Sequence, residues 1–190
     1  MDISTKSGWS YLEVDEKSIS IIDSGSVKKI SEPDGDFPET YVRWCQECFD
    51  DILTVINTHP FDILVVEQTS KARQVMSQKI LEWLGYRVAM FIVENKIQSQ
   101  YYYPGQWRKI LGISLSKDDK VVNKEVRKQH QQGKKVAKGQ DGKRIGMVGK
   151  KHLCIRKVNE IFELDLTMKN NDQADAIALG TAYWIDKVKK

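Results

Sequence analysis

Asp172-Gln173-Ala174-Asp175-Ala176-Ile177-Ala178-Leu179, residues 172–179, is the stretch on which the fold turns. Its small apolar residues let a helix pack closely on a sheet. The spacing of three puts Asp172 and Asp175 on one face of that helix. Asp172 falls near the helix N-terminus, where the dipole favours an anion. Two more acids border apolar segments far away in the chain. Glu67 closes the run Ile63-Leu64-Val65-Val66, and Asp2 opens Asp2-Ile3-Ser4-Thr5-Lys6-Ser7-Gly8-Trp9. Buried carboxylates are costly unless paired with cations, protons or metal. Acids from distant segments, each at the edge of a core element, therefore suggest one hard-cation site. Mg²⁺ or Mn²⁺ suits it, because those ions prefer oxygen ligands. A simpler account makes Asp172 an N-cap, Asp175 a first-turn acid and Glu67 a salt-bridged strand end. Each part is credible alone, but that account must explain all of them together.

The 190 residues suit one domain, 1–190, with a substantial core. No apolar run is long enough to cross a bilayer and the start does not resemble a signal peptide, so a cytoplasmic setting is expected, without membrane partners. Cys45, Cys48 and Cys154 do not make a disulfide framework. The net charge of +4 hides a strong asymmetry. From Lys117 to Lys157 fourteen Lys or Arg face only Asp118, Asp119, Glu125 and Asp141, so the rest of the chain is net acidic. A basic stretch on an acidic body suggests a phosphate-backbone partner.

Residues 8–14 and 18–28 read as strands with a turn at Lys17-Ser18, and Asp2 ends a first strand paired through the Ser4–Gly8 turn. Tyr41, Trp44, Cys45, Cys48, Phe49, Ile52, Leu53, Val55 and Ile56 predict an amphipathic helix over 39–58, ended by His59-Pro60. A strand over 63–68 follows, then a helix over 71–84 with Gly85 as its C-cap and Val75, Met76, Ile80, Trp83 and Leu84 on its apolar face. Arg87-Val88-Ala89-Met90-Phe91-Ile92-Val93 reads as a strand buried on both faces. Pro104 starts a helix to Leu111, and Lys120–Gln132 is a basic helix. Asp141-Gly142 could turn a basic hairpin within 133–151, but the sparse apolar content equally allows this insertion to be mobile. Helices over 152–163 and 172–188 complete the chain. The order implies an α/β domain: a mixed sheet with helices on its faces.

Phosphodiester hydrolysis needs an activated water, a stabilised leaving oxygen and neutralised charge at phosphorus, and two divalent ions held by shared carboxylates supply all three. Asp2-Ile3-Ser4-Thr5-Lys6-Ser7-Gly8-Trp9, Val65-Val66-Glu67-Gln68 and Asp172-Gln173-Ala174-Asp175-Ala176 resemble the three acidic motifs of RuvC-type Holliday junction resolvases, in the RNase H-like nuclease superfamily. Tyr103-Pro104-Gly105-Gln106-Trp107-Arg108-Lys109 resembles the segment before that family's basic loop. Phage-encoded members are nearest in character, which would place the protein in a host cytoplasm. The resemblance implies a five-stranded mixed sheet, three antiparallel strands and then parallel ones. It implies a homodimer that grips a four-way DNA junction and makes paired symmetric nicks, leaving 5′-phosphate and 3′-hydroxyl ends. Asp2, Glu67, Asp172 and Asp175 become ligands of two Mg²⁺ or Mn²⁺ ions. Lys120 joins them as a catalytic cation at the scissile phosphate, with Arg108 or Lys109 close by. For Arg108, Lys109 and Lys120 plain backbone-phosphate contact is an equal reading, and Arg108, Lys109, Lys117, Lys124, Arg127, Lys128, Lys134, Lys135, Lys143 and Arg144 become the DNA contacts.

The chain departs from the family in two places. Relatives carry several strand residues before the first aspartate, so either the natural start lies upstream or the first strand is unusually short. Gln68-Thr69-Ser70 stands where some relatives carry a stacking aromatic. Tyr101, Tyr102, Tyr103 or Trp107 could stack instead, although packing is the favoured role for Trp107. Cys45 and Cys48 fall on the apolar face of a helix without a second pair and read as core rather than zinc ligands. His152-Leu153-Cys154 is too isolated for a metal site, and His59 and His130 have no partner visible in sequence. Two other functions stay open: a metal nuclease for flaps, Y-forks or RNA–DNA hybrids, and a non-catalytic junction binder using only its basic segment. The helix near 72–84, with Trp83 and Met76, is the candidate dimer surface.

Overall fold

Alternating residues in Gly8-Trp9-Ser10-Tyr11-Leu12-Glu13-Val14 build β1 (Gly8–Val14), which pairs antiparallel with β2 (Ile19–Ser26). Asp15 closes the turn between them: its carboxylate accepts from the backbone N–H groups of Lys17 and Ser18 at 2.6 and 2.8 Å. The protein is seen here as a computed structural model that describes residues 1–27, 35, 38–68, 75–132 and 146–189, the side chains at 76 and 77 excepted. Helix α1 (Glu39–Ile56) buries Trp44, Cys45, Cys48, Phe49, Ile52 and Ile56. The Tyr11 hydroxyl donates to the Val55 and Ile56 carbonyls, tying the hairpin to the end of α1. Strand β3 (Leu64–Glu67) comes next, then α2 (Val75–Glu94) and β4 (Ser99–Tyr102), which pairs parallel with β3. Helices α3 (Pro104–Ile110), α4 (Lys117–Gln131), α5 (Lys150–Phe162) and α6 (Asn171–Tyr183) complete the order, with a short π-turn over Trp184–Val188. No helix among the described residues is long and apolar enough to cross a membrane.

Two expectations fail. Residues 87–93 are not a strand; they are the second half of α2, and Gly85 lies inside that helix rather than capping it. Ile80, Leu84, Val88 and Ile92 recur every fourth residue and are buried, while Tyr86, Met90 and Val93 are exposed. A short apolar run does not distinguish a buried strand from a helix by periodicity. The strand that the helix displaced lies further on, in the polar Ser99-Gln100-Tyr101-Tyr102.

Among the described residues the expected five-stranded sheet is not formed; they hold two two-stranded sheets, β1–β2 and β3–β4. Residues Met1 and Asp2 stitch them together. Asp2 N–H donates to Gly8 O at 2.9 Å and Gly8 N–H to Asp2 O at 3.1 Å, while the Met1 amine donates to Val65 O at 2.6 Å and Glu67 N–H to Met1 O at 2.9 Å. So few ladder bonds do not make a strand, and alongside them β1 and β3 stand apart around a cleft of about 620 Å³ lined in part by Trp9, Leu12, Phe61 and Leu64.

Helices still cover both faces, as the α/β reading requires. Val66 packs with α1 and α2 around Phe49, Ile52 and Leu84. Its neighbour Val65 faces the opposite way, against the layer of Trp107, Val158, Ala174 and Ile177 from α3, α5 and α6. The small residues of α6 permit the close approach: a Cβ at Gly180 would fall 2.4 Å from Leu12 Cδ1, and one at Gly8 would fall 1.8 Å from the Asp172 carbonyl oxygen. Gly8→Ala therefore has to push α6 off β1. It is expected to cost about 1–3 kcal/mol in urea melts, whereas Gly105→Ala, with open space around it, should be close to neutral.

Candidate metal centre and nucleic-acid surface

Three segments deliver the four acids to one end of the two sheets. Asp2 hangs from the stitch, Glu67 ends β3, and Asp172 and Asp175 occupy the first turn and a half of α6, whose start is pressed against Gly8. The side chains are close enough to oppose one another's ionisation. Burial pushes the Asp2 carboxyl up to about 7, reinforced by the charges of Glu67, Asp175 and Asp172 and opposed by the Met1 amine. Glu67 is raised by burial and by Asp175, against a Trp107 hydrogen bond and Arg108. Asp175 is raised by burial and by Asp172, against Cys154, Arg108 and Lys151. Only 4% of Asp175 is exposed, and its Oδ1 has no hydrogen-bond partner.

Asp172 is the exception. Lys151 Nζ lies 3.0 Å from its Oδ1 and Lys6 Nζ 3.4 Å from its Oδ2. The donor set is thus all oxygen, drawn from four carboxylates, with unmet negative charge and an orphaned buried lone pair. That chemistry fits a hard divalent cation. Among the described residues, however, no three acidic, histidine or cysteine side chains are gathered closely enough to hold an ion as they stand. Mutual repulsion keeps bare carboxylates apart, and an ion would have to draw them together.

The surrounding residues orient these acids. Trp107 is fully buried, as the packing reading expected, and its indole N–H donates to Glu67 Oε2. The Arg108 guanidinium lies 4.5 Å over the Trp107 ring, with its Nε buried and unpartnered. Cys154, fully buried on α5, lies against Asp175 and donates to the Ala174 carbonyl at 3.5 Å. Sequence reasoning missed Lys6, Lys151 and Cys154 as neighbours of the acids. Only the proximity of Cys154 to an apolar helical stripe hinted at its burial, and nothing in the sequence linked it to Asp175.

Of the expected cations, Arg108 faces the carboxylates. Lys120 sits instead on α4, and the cations acting most directly on the acids are Arg108, Lys151, Lys6 and the Met1 amine. Helix α4 is anchored from below: Asp119 pairs with Arg156 at 3.2 Å, and the Asn123 side chain exchanges two hydrogen bonds with Val148. That leaves Lys117, Lys120, Lys124, Arg127 and Lys128 exposed, the last four lining one trough with Leu115, Asn123 and Gln131. Lys109 is exposed on α3. Lys134, Lys135, Lys143, Arg144 and the Asp141-Gly142 turn lie outside the described residues. Tyr102 is buried, its hydroxyl donating to Asp186 at 2.8 Å, so Tyr101 and Tyr103 carry the exposed rings. Cys45 and Cys48 are core residues, and burial pushes the Cys48 thiol up to about 11. His59, without a visible partner in sequence, meets Asp23 at 3.3 Å.

No family model and no curated protein matches this chain. Solved structures do. A Thermus thermophilus RuvC in complex with a Holliday junction substrate aligns at a TM-score of 0.60 with 14% identity, covering 97% of this chain and 90% of that one. A second Thermus thermophilus RuvC structure aligns at 0.58 with 16% identity, covering 97% and 92%. The yeast mitochondrial Holliday junction resolvase Ydc2 aligns more loosely, at 0.45 with 16% identity, covering 97% and 78%. The likeness to RuvC shows the fold: α/β, of the RNase H-like kind, over nearly the whole chain.

The raised carboxyls have a pH consequence. Asp2 moves from 3.8 to about 7 on folding. Its proton is then retained by the fold, and the stability it contributes is fully present below 3.8 and lost as pH rises through about 7. The Met1 amine, lowered from 8.0 to about 6, works in the opposite sense only above about 6. In EDTA, Asp2→Asn is expected to melt above wild type by a margin that grows between about pH 4 and 7, reaching a few °C. Mn²⁺ added near neutral pH is expected to raise the Tm of the wild-type protein and not that of Asp2→Asn.

Proposed function

We propose that this chain is a structure-specific endodeoxyribonuclease that resolves four-way DNA junctions by divalent-metal-dependent phosphodiester hydrolysis, making paired symmetric nicks. One observation carries the reading: Asp2, Glu67 and Asp175, drawn from distant parts of the chain, lie within electrostatic range of one another and of Asp172, and burial and mutual repulsion raise all three. A purely structural set of acids would be expected to find cations or donors. Three of these four do not find enough of them to ionise normally.

These four residues would hold Mg²⁺ or Mn²⁺, which when bound supplies a hydroxide-like nucleophile and charge neutralisation at phosphorus. The chain's own residues do the rest. Trp107 fixes the rotation of Glu67 and, with the ring packed beneath Arg108, shields that side of the site from water. Arg108, with an unused donor, and Lys151 offer positive charge where a phosphate would arrive. The exposed cations of α4 form a second, sequence-independent contact with the backbone of a neighbouring arm. Resolution needs two such centres, and α2 supplies a surface for pairing: Tyr86, Met90 and Val93 present an exposed apolar stripe at helical spacing, while Trp83 turns inward to the core. This stripe, rather than the 72–84 segment, is the proposed homodimer face.

Purified protein with Mg²⁺ or Mn²⁺ is expected to cut a synthetic four-way junction at symmetric positions into ligatable duplexes. Cutting of flaps or Y-forks at the same rate would favour the broader branched-DNA nuclease. Asp175→Asn should lower cleavage by about 100-fold or more while junction binding persists in gel-shift assays; cleavage unaffected by it would point to a pure binder with a contaminating nuclease. For the second element, the double substitution Tyr86→Glu, Val93→Glu should shift the mass measured by light scattering from dimer to monomer, with the circular dichroism spectrum retained.

A further inference from the structure

Lys6 sits in a turn that needs no help from its side chain. Ser7, fully buried, donates from its hydroxyl to Ser4 O at 2.7 Å and accepts from Ser4 N–H at 2.9 Å. Lys6 N–H donates to Ser4 Oγ at 3.1 Å, and Val27 N–H holds Ser7 O at 2.9 Å. The backbone of residues 4–7 is thereby clamped, and it carries the Lys6 ammonium to 3.4 Å from Asp172 Oδ2. A half-exposed ion pair of this kind contributes little to stability. Its position is the informative part: among the described residues Asp172 is the one acid of the four in a direct ion pair with lysine, and Lys6 holds one of its two oxygens.

We propose that Lys6 is a transferable counter-ion of this centre. It neutralises Asp172 while no metal is bound, and it moves to a phosphate oxygen of the DNA strand once a divalent cation takes the carboxylate. The proposal rests on the nuclease reading above and extends it to a residue on the turn after Asp2. Physical necessity drives the exchange. A divalent ion entering the four-carboxylate cluster repels an ammonium already at Asp172 and competes for the same oxygen. The lysine stem is long and flexible, so its charge can swing outward without disturbing the clamped turn. A phosphate beside the ion offers it a replacement anion. Lys151, anchored on α5, remains as a second cation on the other oxygen of Asp172.

The test is Mn²⁺ binding by isothermal titration calorimetry, without DNA, together with single-turnover and steady-state cleavage of a synthetic four-way junction. Removing the competing charge in Lys6→Gln is expected to tighten Mn²⁺ binding on the order of tenfold. At saturating Mn²⁺ the same variant should lose about tenfold or more in kcat with little change in KM. Lys6→Arg should return Mn²⁺ affinity toward the wild-type value, and Lys157→Gln, remote on α5 in a pair with Glu160, should leave it unchanged. Unaltered or weaker Mn²⁺ binding by Lys6→Gln in a cleaving enzyme overturns this proposal alone. A folded wild-type chain that binds Mn²⁺ yet cuts no DNA overturns the nuclease reading and the phosphate step with it.

Discussion

The contact of Gly8 with the Asp172 carbonyl is the constraint on which the rest of the structure depends. Gly8 is already committed on both of its backbone groups to Asp2. By accepting the start of α6 with no side chain between, it brings Asp172 and Asp175 within electrostatic range of Asp2. Any larger residue at position 8 would set α6 outward and separate the acids. The same closeness continues along α6 at Gly180 over Leu12, and through the Ser10 hydroxyl, which donates to the Ala176 carbonyl at 3.1 Å. Helix α6 is therefore placed by the absence of side-chain volume, and the carboxylates ride on it.

That arrangement sets stability against function. Burial raises Asp2, Glu67 and Asp175 together, so each one that ionises makes the next harder to ionise. A fold selected only for stability would have supplied a lysine to each, as it has for Asp172, or replaced them with apolar residues. The indole of Trp107 and the guanidinium of Arg108 limit the damage by holding Glu67 from one side without closing it off.

The basic surface is organised by a different logic. Asp119 and Asn123, the buried polar residues of α4, are spent on Arg156 and Val148 and lock the helix to the body. Lys120, Lys124, Arg127 and Lys128 stay exposed along one trough, a concentration of positive charge on a single helix.

Read alone, the chain determined its α/β class, the hairpin, the amphipathic α1 and the basic α4, and it singled out four acids, because periodicity, turn chemistry and charge are local properties. Cys45 and Cys48 were legible as core for the same reason. It misassigned residues 87–93, since a run apolar on every side satisfies a strand and a buried helix equally, and only packing against α1 chose the helix. It overstated the sheet, because pairing of Met1 and Asp2 with β1 and β3 is a count of hydrogen bonds between distant segments. Only the tertiary structure decided that Trp107 serves Glu67, that Cys154 abuts Asp175, and that Lys6 and Lys151 stand at Asp172. Those contacts join residues 21 to 166 positions apart. They arise from how closely two layers approach, a distance set by glycine and alanine rather than by any charged residue's own signal.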